Sequence, residues 1–261
     1  LFVFMGAVLE KSGIADRLFE AIHIWTRRLP GGLAIATVLM CIVFAASSGV
    51  IGATESVVGL LTIPIMLRYG YDKRLISGVI CAGGSLGTII PPSVVVIVMG
   101  PLANVSVGDL MYGMVLPGFL MAGLYLVYIL VLCIVKPEHG PRIPREPDEP
   151  SFAQKLGITV RNLVPPLGMI AAVLGSILGG LASPTEAAAL GCVCAVLLTV
   201  IYGRFTWPGL YDSLLKTVRV TAMIMAVLLG GTLFTGVFIG GGGINLASTM
   251  IGQMQLGPWG L

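Results

Sequence analysis

Charge is what this sequence has least of. Only 10% of its 261 residues are Asp, Glu, Lys or Arg, against about 25% in a typical soluble domain. With 56% hydrophobic residues and a mean hydropathy of +1.00, no water-soluble fold of this length could hide its apolar surface. The chain reads as an all-α polytopic membrane protein. Its net charge of +3 therefore says nothing of nucleic acid, and only the placement of the charges matters. Histidine is scarce too, with two residues. No Ser/His, Asp/Asp or His/Glu metal constellation falls within the apolar runs, which argues against an intramembrane enzyme. Cys41, Cys81, Cys133, Cys192 and Cys194 all lie in apolar runs, and Cys192-Val193-Cys194 lacks the spacing and partners of a metal site. The five are expected to be buried small hydrophobes, without disulfides. A signal peptide is also missing: the chain opens on LFVFMGAVL, with neither Met nor a basic flank, as if it starts inside a membrane helix.

What is present is a series of long apolar runs. A spanning helix needs about 20 such residues, and five runs qualify: Leu75–Gly100, Leu110–Val135, Leu163–Ala182, Pro184–Tyr202 and Val220–Ile239. Residues 33–66 differ. An apolar run of 14 residues, Leu33–Ala46, and one of 10, Val57–Met66, flank a polar, glycine-bearing stretch, SSGVIGATES (Ser47–Ser56). Each arm is short for a crossing. The expectation is a re-entrant hairpin that turns at Ser47–Ser56 and leaves on the side it came from.

Basic residues support this. Lys11, Arg17, Arg27 and Arg28 precede the hairpin, and Arg68, Lys73 and Arg74 follow it. By the positive-inside rule both flanks are cytoplasmic. Counting crossings onward puts Lys136, Arg142, Arg145, Lys155 and Arg161 on the same side, then Arg204, Lys216 and Arg219; all 15 Lys and Arg are thereby inside. The segments assigned to the outside, 101–109, 182–186 and 240–261, contain none. Residues 136–151 are rich in Pro and charge and read as a solvated, mobile cytoplasmic linker within the loop 136–161. Segment 10–28 is amphipathic, with Ile14, Leu18, Ala21, Ile22 and Trp25 at helical spacing. It is expected to lie in the membrane interface, with Arg17 pointing away and His23 at the polar boundary.

The run GGSLGTIIPPS (83–93) interrupts the first span with three glycines and two prolines. Gly83, Gly84 and Gly87 permit close backbone approach. Pro91 and Pro92 remove donors and free upstream carbonyls. Ser85, Thr88 and Ser93 bring hydroxyls, and Ser93 is placed to cap the helix half that follows. Irregular backbone at membrane depth is tolerated only against protein or a water-filled cavity. The run is thus either a kinked helix packed on its neighbours or an ion or substrate site. Its hard oxygen donors suit an alkali cation better than a transition metal. Glu55 is the one carboxylate at membrane depth, where an acid costs about 2.5–3.5 kcal/mol. Two readings stand open: a cation or proton as partner, or a hairpin-tip glutamate held by Thr54 or Ser56. By contrast, Ser183-Pro184-Thr185-Glu186 is read as a helix-start capping box.

Residues 1–33 and 233–261 echo one another, each passing from an apolar segment through Gly-Ile (Gly13-Ile14, Gly243-Ile244) into a short helix and a Pro/Gly turn. Chance similarity in apolar sequence is the rival reading. Five crossings separate the copies, so the second faces the opposite way, the arrangement of inverted-repeat secondary transporters.

The segments LFVFMGAVLEKSGIADRL, FAASSG, IPIMLRYGYDKRLISGVICAGGSLGTIIPPS and GGLASPTEAAALG resemble the large membrane subunit of tripartite ATP-independent periplasmic (TRAP) transporters, the dicarboxylate-type permease. The resemblance implies an elevator-type transporter of the bacterial inner membrane, built as an inverted repeat with a re-entrant hairpin and broken helices. It implies Na⁺ as coupling ion and import of an organic acid such as a C4-dicarboxylate. A periplasmic substrate-binding protein and a small four-helix membrane subunit are the implied partners. Carried over residue by residue, the ion site falls at Ser47, Ser48 and Gly49 with Gly84, Ser85, Gly87 and Pro91. Thr54, Glu55, Thr88 and Ser93 are added from the reading above. Where the family's tip continues Ser-Ser, this chain has Val50-Ile51, and Glu55 stands where a small residue is usual. The domain layout that follows is a helix end and cytoplasmic arm at 1–32, and the first hairpin with its broken helix at 33–109. A helix at 110–135, the linker at 136–161 and the start of a second, incomplete repeat at 162–261 complete it. Coupling to protons through Glu55, membership of another family of Na⁺ symporters for divalent anions, and a passive channel are the alternatives.

Overall fold

Glycine and proline set the helix boundaries. The computed structural model describes residues 1–49, 51–142 and 151–253. They form two units, Leu1–Lys216 and Thr217–Leu261. Among the described residues regular structure is entirely helical, as the composition requires. Arg145 and the Pro/Gly turn expected near Leu261 lie outside them.

Helix α1 (Phe2–Lys11) ends at a turn through Gly13, whose φ of +71° few residues but glycine adopt, and α2 (Ile14–Thr26) follows. The apolar face of α2 is as read at Ile14, Leu18, Ala21 and Ile22, which are buried with Ala15 and Phe19, but not at Trp25, which is exposed and donates its indole N–H to the Thr159 hydroxyl (2.8 Å). The helix packs on α3 (Gly32–Ser48) and α8 (Phe152–Leu178), however. Protein thus covers this face, where the reading of an interfacial helix would have put lipid. Arg17 does not point away: its guanidinium stacks 4.3 Å from the centre of the Tyr202 ring. His23 stacks on Phe19 with ring centroids 5.5 Å apart.

Helices α3 and α4 (Ile51–Arg68) pack on each other as a hairpin. The turn is shorter than expected, because Ile51–Ser56 already belong to α4. Gly49, at φ +62°, reverses the chain. The base of the hairpin is closed: the Leu33 amide donates to the Tyr71 hydroxyl (3.3 Å), and the Thr37 hydroxyl lies 3.9 Å from Met66 Sδ. The chain thus returns to the end from which it set out.

From that base α5 (Lys73–Ile89) runs back along α3 and α4, started by Asp72, whose carboxylate accepts from the Arg74 amide at 3.0 Å. The helix breaks at Ile90-Pro91-Pro92-Ser93, with a cis peptide between the prolines, and resumes as α6 (Val94–Ala103). Helix α7 (Val107–Val135) returns and packs against α3, α5 and α6. A 3-10 turn, Pro137–His139, then docks onto the hairpin base: Gly31 donates to the Gly140 carbonyl (3.2 Å) and Asp72 to the His139 carbonyl (3.1 Å). This start of the linker is a fixed strap, not the free chain expected from its composition. Residues 143–150 lie outside the described set.

Helix α8 begins with the Ser151 amide donating to Gln154 Oε1 (2.9 Å). At α9 (Pro184–Ile201) the expected capping box is present: the Ser183 amide donates to Glu186 Oε2 (2.8 Å), and the Glu186 amide donates to Ser183 Oγ (3.4 Å). Helix α1 packs against α9. The first turns of α10 (Trp207–Gly240) are tied to α1 by Lys11–Asp212 (2.8 Å) and by Lys216–Glu10. Among the described residues, five stretches are long and apolar enough to cross a membrane: Lys73–Ala103, Val107–Val135, Phe152–Leu178, Pro184–Ile201 and Trp207–Gly240. These are the five runs read from the sequence.

In the second unit, the rest of α10 leads through Gly242 (φ +76°) into α11 (Gly243–Gln253). That local order, a helix, a left-handed glycine and a second helix, is also the one at α1–Gly13–α2. Large apolar side chains of this stretch, among them Met223, Leu233, Phe234 and Val237, are exposed.

Candidate functional site

The hairpin tip meets the break between α5 and α6. A methyl group placed on Gly49 would lie 2.9 Å from the Pro92 carbonyl oxygen and 3.4 Å from the Val94 amide nitrogen. Only a residue without Cβ allows this approach at a positive φ. Gly49, Pro91, Pro92 and Ser93 are all buried. The tip stops alongside the break, and α6 carries the chain ten residues further. From the other side, Gly118 of α7 sits against the break: its missing methyl would be 3.2 Å from the Ile89 carbonyl oxygen.

The break leaves oxygen atoms without their usual partners. In a continuous helix the carbonyls of Gly87 and Thr88 would accept from residues 91 and 92, but both are proline and carry no N–H. The Ser93 hydroxyl is fully buried and has no hydrogen-bond partner among the described residues. It stands at the N-cap position of α6 without bonding the helix, so the expected cap does not form. A buried hydroxyl without a partner costs about 1–3 kcal/mol. The site therefore combines hard oxygens, a close-packed turn and an unsatisfied polar group.

The other hydroxyls are held by their own helices. Ser47 donates to Phe44 (2.7 Å), Ser85 to Ala82 (2.8 Å) and Thr88 to Ser85 (2.9 Å). Their lone pairs stay available to a cation, but their protons are committed. Ser48 ends α3 beside Gly49.

Glu55 and Gly84 form a second contact, away from the tip. The Glu55 side chain lies on Gly84, and a methyl there would be 2.8 Å from Oε1 and closer still to Cγ. Glu55 is the fifth residue of α4, about 6 Å along the helix from Ile51. The sequence reading gathered Thr54 and Glu55 into the tip; the structure places them on the first turns of α4. Ser56 does not hold Glu55, because its hydroxyl donates to the Gly52 carbonyl (2.7 Å). One residue earlier on α5, Gly83 faces Cys41, whose Sγ would be 2.6 Å from a methyl at that position. The glycine pair is thus what lets α5 lie against both hairpin arms.

Sequence reasoning missed Cys41, Gly118, Tyr71 and the His139–Gly140 strap. Gly118 follows Pro117 inside a spanning run, a pairing that could have flagged it. Cys41 carries no local signal at all. The cysteines also vary in burial more than expected: Cys81 is exposed and Cys194 half-buried.

Residues 1–261 match the family model described as "Tripartite ATP-independent periplasmic transporter, DctM component". The chain is 32% identical over 259 residues to the C4-dicarboxylate TRAP transporter large permease protein DctM of Pseudomonas aeruginosa, covering 99% of this chain and 59% of that one. It is 36% identical over 208 residues to the protein of the same name from Vibrio cholerae, 79% of this chain and 44% of the relative. An ectoine/5-hydroxyectoine TRAP transporter large permease from Ruegeria pomeroyi is 29% identical over 262 residues, 100% of this chain and 60% of its own length. The chain thus spans three fifths or less of the length of these relatives. The match over the whole chain, together with a helical hairpin abutting a proline-broken membrane helix, shows that the chain belongs to the DctM component family of TRAP transporters.

Proposed function

We propose that this chain is part of the large permease of a secondary transporter that imports a small organic acid, a C4-dicarboxylate or a similar carboxylate, down a Na⁺ gradient. The observation that carries the reading is the junction of Gly49 with Pro92 and the buried, unpartnered Ser93 hydroxyl. The Gly87 and Thr88 carbonyls, the lone pairs of the nearby hydroxyls and Ser93 are oxygens of the kind that coordinate Na⁺ in broken-helix sites. An elevator motion, a periplasmic binding protein that delivers the acid and a small four-helix membrane subunit belong to the same proposal. The names of the relatives support a carboxylate or a comparably small solute. Basic residues at the hairpin base, Arg68, Lys73 and Arg74, support a cytoplasmic base with the tip inside the bilayer of the inner membrane.

The deciding experiment is Ser93→Ala in the full transporter, reconstituted in proteoliposomes. Removing an unsatisfied buried hydroxyl leaves stability unchanged or raises it. Loss of a ligand raises the Na⁺ concentration for half-maximal uptake. Unchanged Na⁺ dependence in a stable Ser93→Ala protein refutes the site, and uptake indifferent to any Na⁺ gradient refutes the coupling.

A second reading, proton coupling through Glu55, is favoured by the contact of its carboxylate with Gly84 at membrane depth. Uptake driven by a pH gradient alone, and abolished by Glu55→Gln, would establish it in place of Na⁺.

A further inference from the structure

A cavity of about 460 Å³ opens between α5 and α7, well apart from the tip–break junction. Its walls are Leu75 and Val79 of α5 with Ile129 and Leu132 of α7, and Val38 of α3 forms its floor. Gly78 faces it with open space: no atom lies within 4 Å of where its methyl group would be. The walls are apolar from Leu75 to Ala82, about 10 Å of helix. At the end that carries the basic residues, the mouth is formed by Asp72, Arg74 and His139. Tyr125 and Tyr128 line the α7 side further from the mouth than Ile129 and Leu132.

The mouth is electrostatically lopsided. Asp72 is already engaged, since its carboxylate accepts from the Arg74 amide and lies 3.4 Å from His139 Nε2. The Arg74 guanidinium has no ion pair among the described residues, and Lys73 adds a second cation next to it in the chain. A free, soluble carboxylate would satisfy Arg74 but leave the apolar walls dry and empty. An acyl chain alone would fill the walls and leave the guanidinium unused. A molecule carrying both an anionic phosphodiester and an acyl tail matches both, and Arg is the side chain whose planar fork suits phosphate. Basic pockets between membrane helices on the inner face hold anionic lipid headgroups on this principle, and the volume is within the usual range for ligand pockets.

We propose that the α5–α7 groove is a binding site for one anionic phospholipid, with its phosphodiester on Arg74 and an acyl chain running along Gly78 and Val79. The lipid acts as a spacer between α7 and the broken helix. It is distinct from the tip–break junction, because the groove is lined by α5 only as far as Ala82, before the break at Ile90.

The test uses the full transporter complex purified in mild detergent, titrated with phosphatidylglycerol or phosphatidylcholine and read by native mass spectrometry. Phosphatidylglycerol is expected to remain bound where phosphatidylcholine does not. Arg74→Ala weakens it about fivefold, the effect of one juxtamembrane cation. Gly78→Phe fills the groove and removes the lipid while Arg74 is intact, and the open space at Gly78 lets that variant fold. Equal retention of the two lipids, or retention unchanged in both variants, overturns the proposal. So does cross-linking of Gly78→Cys to another segment of the polypeptide, which would mean that protein closes the groove.

Discussion

Gly49→Ala sets the tightest constraint on the tip–break junction. Two penalties fall on one methyl group. A left-handed backbone at φ +62° costs an ordinary residue about 1–2 kcal/mol. The added carbon would also sit 2.9 Å from the Pro92 carbonyl oxygen, and both partners are main chain, so neither can swing aside. Overpacking of this kind costs about 1–3 kcal/mol. The sum, about 2–5 kcal/mol, is enough either to destabilise the transporter or to push the tip off the break. Gly52→Ala is the matched control. Gly52 is three residues away inside α4, with nothing within 4 Å of its missing methyl, so the change is expected to stabilise by about 0.5–1 kcal/mol through helix propensity. Both variants are measured in the full complex, by thermal unfolding in detergent and by Na⁺-dependent uptake. Gly49→Ala should lose stability, Na⁺ response or both, while Gly52→Ala keeps both. If the two variants behave alike, the tip does not rest on the break and the reasoning fails.

Further outcomes follow from other contacts. Gly83→Ala meets Cys41 Sγ at 2.6 Å and should destabilise by about 1–3 kcal/mol; Cys41→Gly should restore most of the loss, and a double-mutant cycle that shows no coupling would place the two residues apart. Tyr71→Phe leaves the Leu33 amide without its acceptor and is expected to cost about 1 kcal/mol in thermal or denaturant unfolding. Burial pushes the Tyr71 phenol from 10.0 up to about 12, the Leu33 amide opposing this in part. The folded state holds that proton more tightly, so the stability linked to it is whole below pH 10.0 and is lost as pH rises through about 12; Tyr71→Phe should flatten that part of the pH profile. Lys216→Met, which breaks a partly exposed ion pair with Glu10, should cost less than about 1 kcal/mol, and a larger loss would mean that the pair holds α10 in place.

The membrane spans were legible because about 20 apolar residues in sequence have few other uses. The broken helix was legible because Pro91-Pro92 cannot continue one. The hairpin was half legible: the basic flanks at Arg28 and Arg68 showed that the chain returns, but polar Thr54 and Ser56 suggested a long loop. In the structure their neighbours extend α4 instead, since Ser56 satisfies its hydroxyl on the helix's own backbone. That extension carried Glu55 away from the tip, and the single site read from the sequence became two contacts. The strap could not be read at all. Pro137, Glu138, His139 and Gly140 look like linker residues, and the bonds that fix them go to Gly31 and Asp72, far off in the chain and with no pattern to announce them. The amphipathic face of α2 was correct, but amphipathicity does not say whether lipid or protein covers it.

The strap decides which parts of the polypeptide travel together. Two main-chain bonds join His139 and Gly140 to the root of the hairpin, so a spectroscopic probe placed at Glu138 reports the excursions of α3 and α4 although α7 lies between them in sequence. Under the proposed elevator motion, a stroke of the hairpin either carries the far end of α7 with it or breaks these two bonds. The pivot for such a stroke is then to be sought beyond Gly140 on one side and ahead of Gly31 on the other.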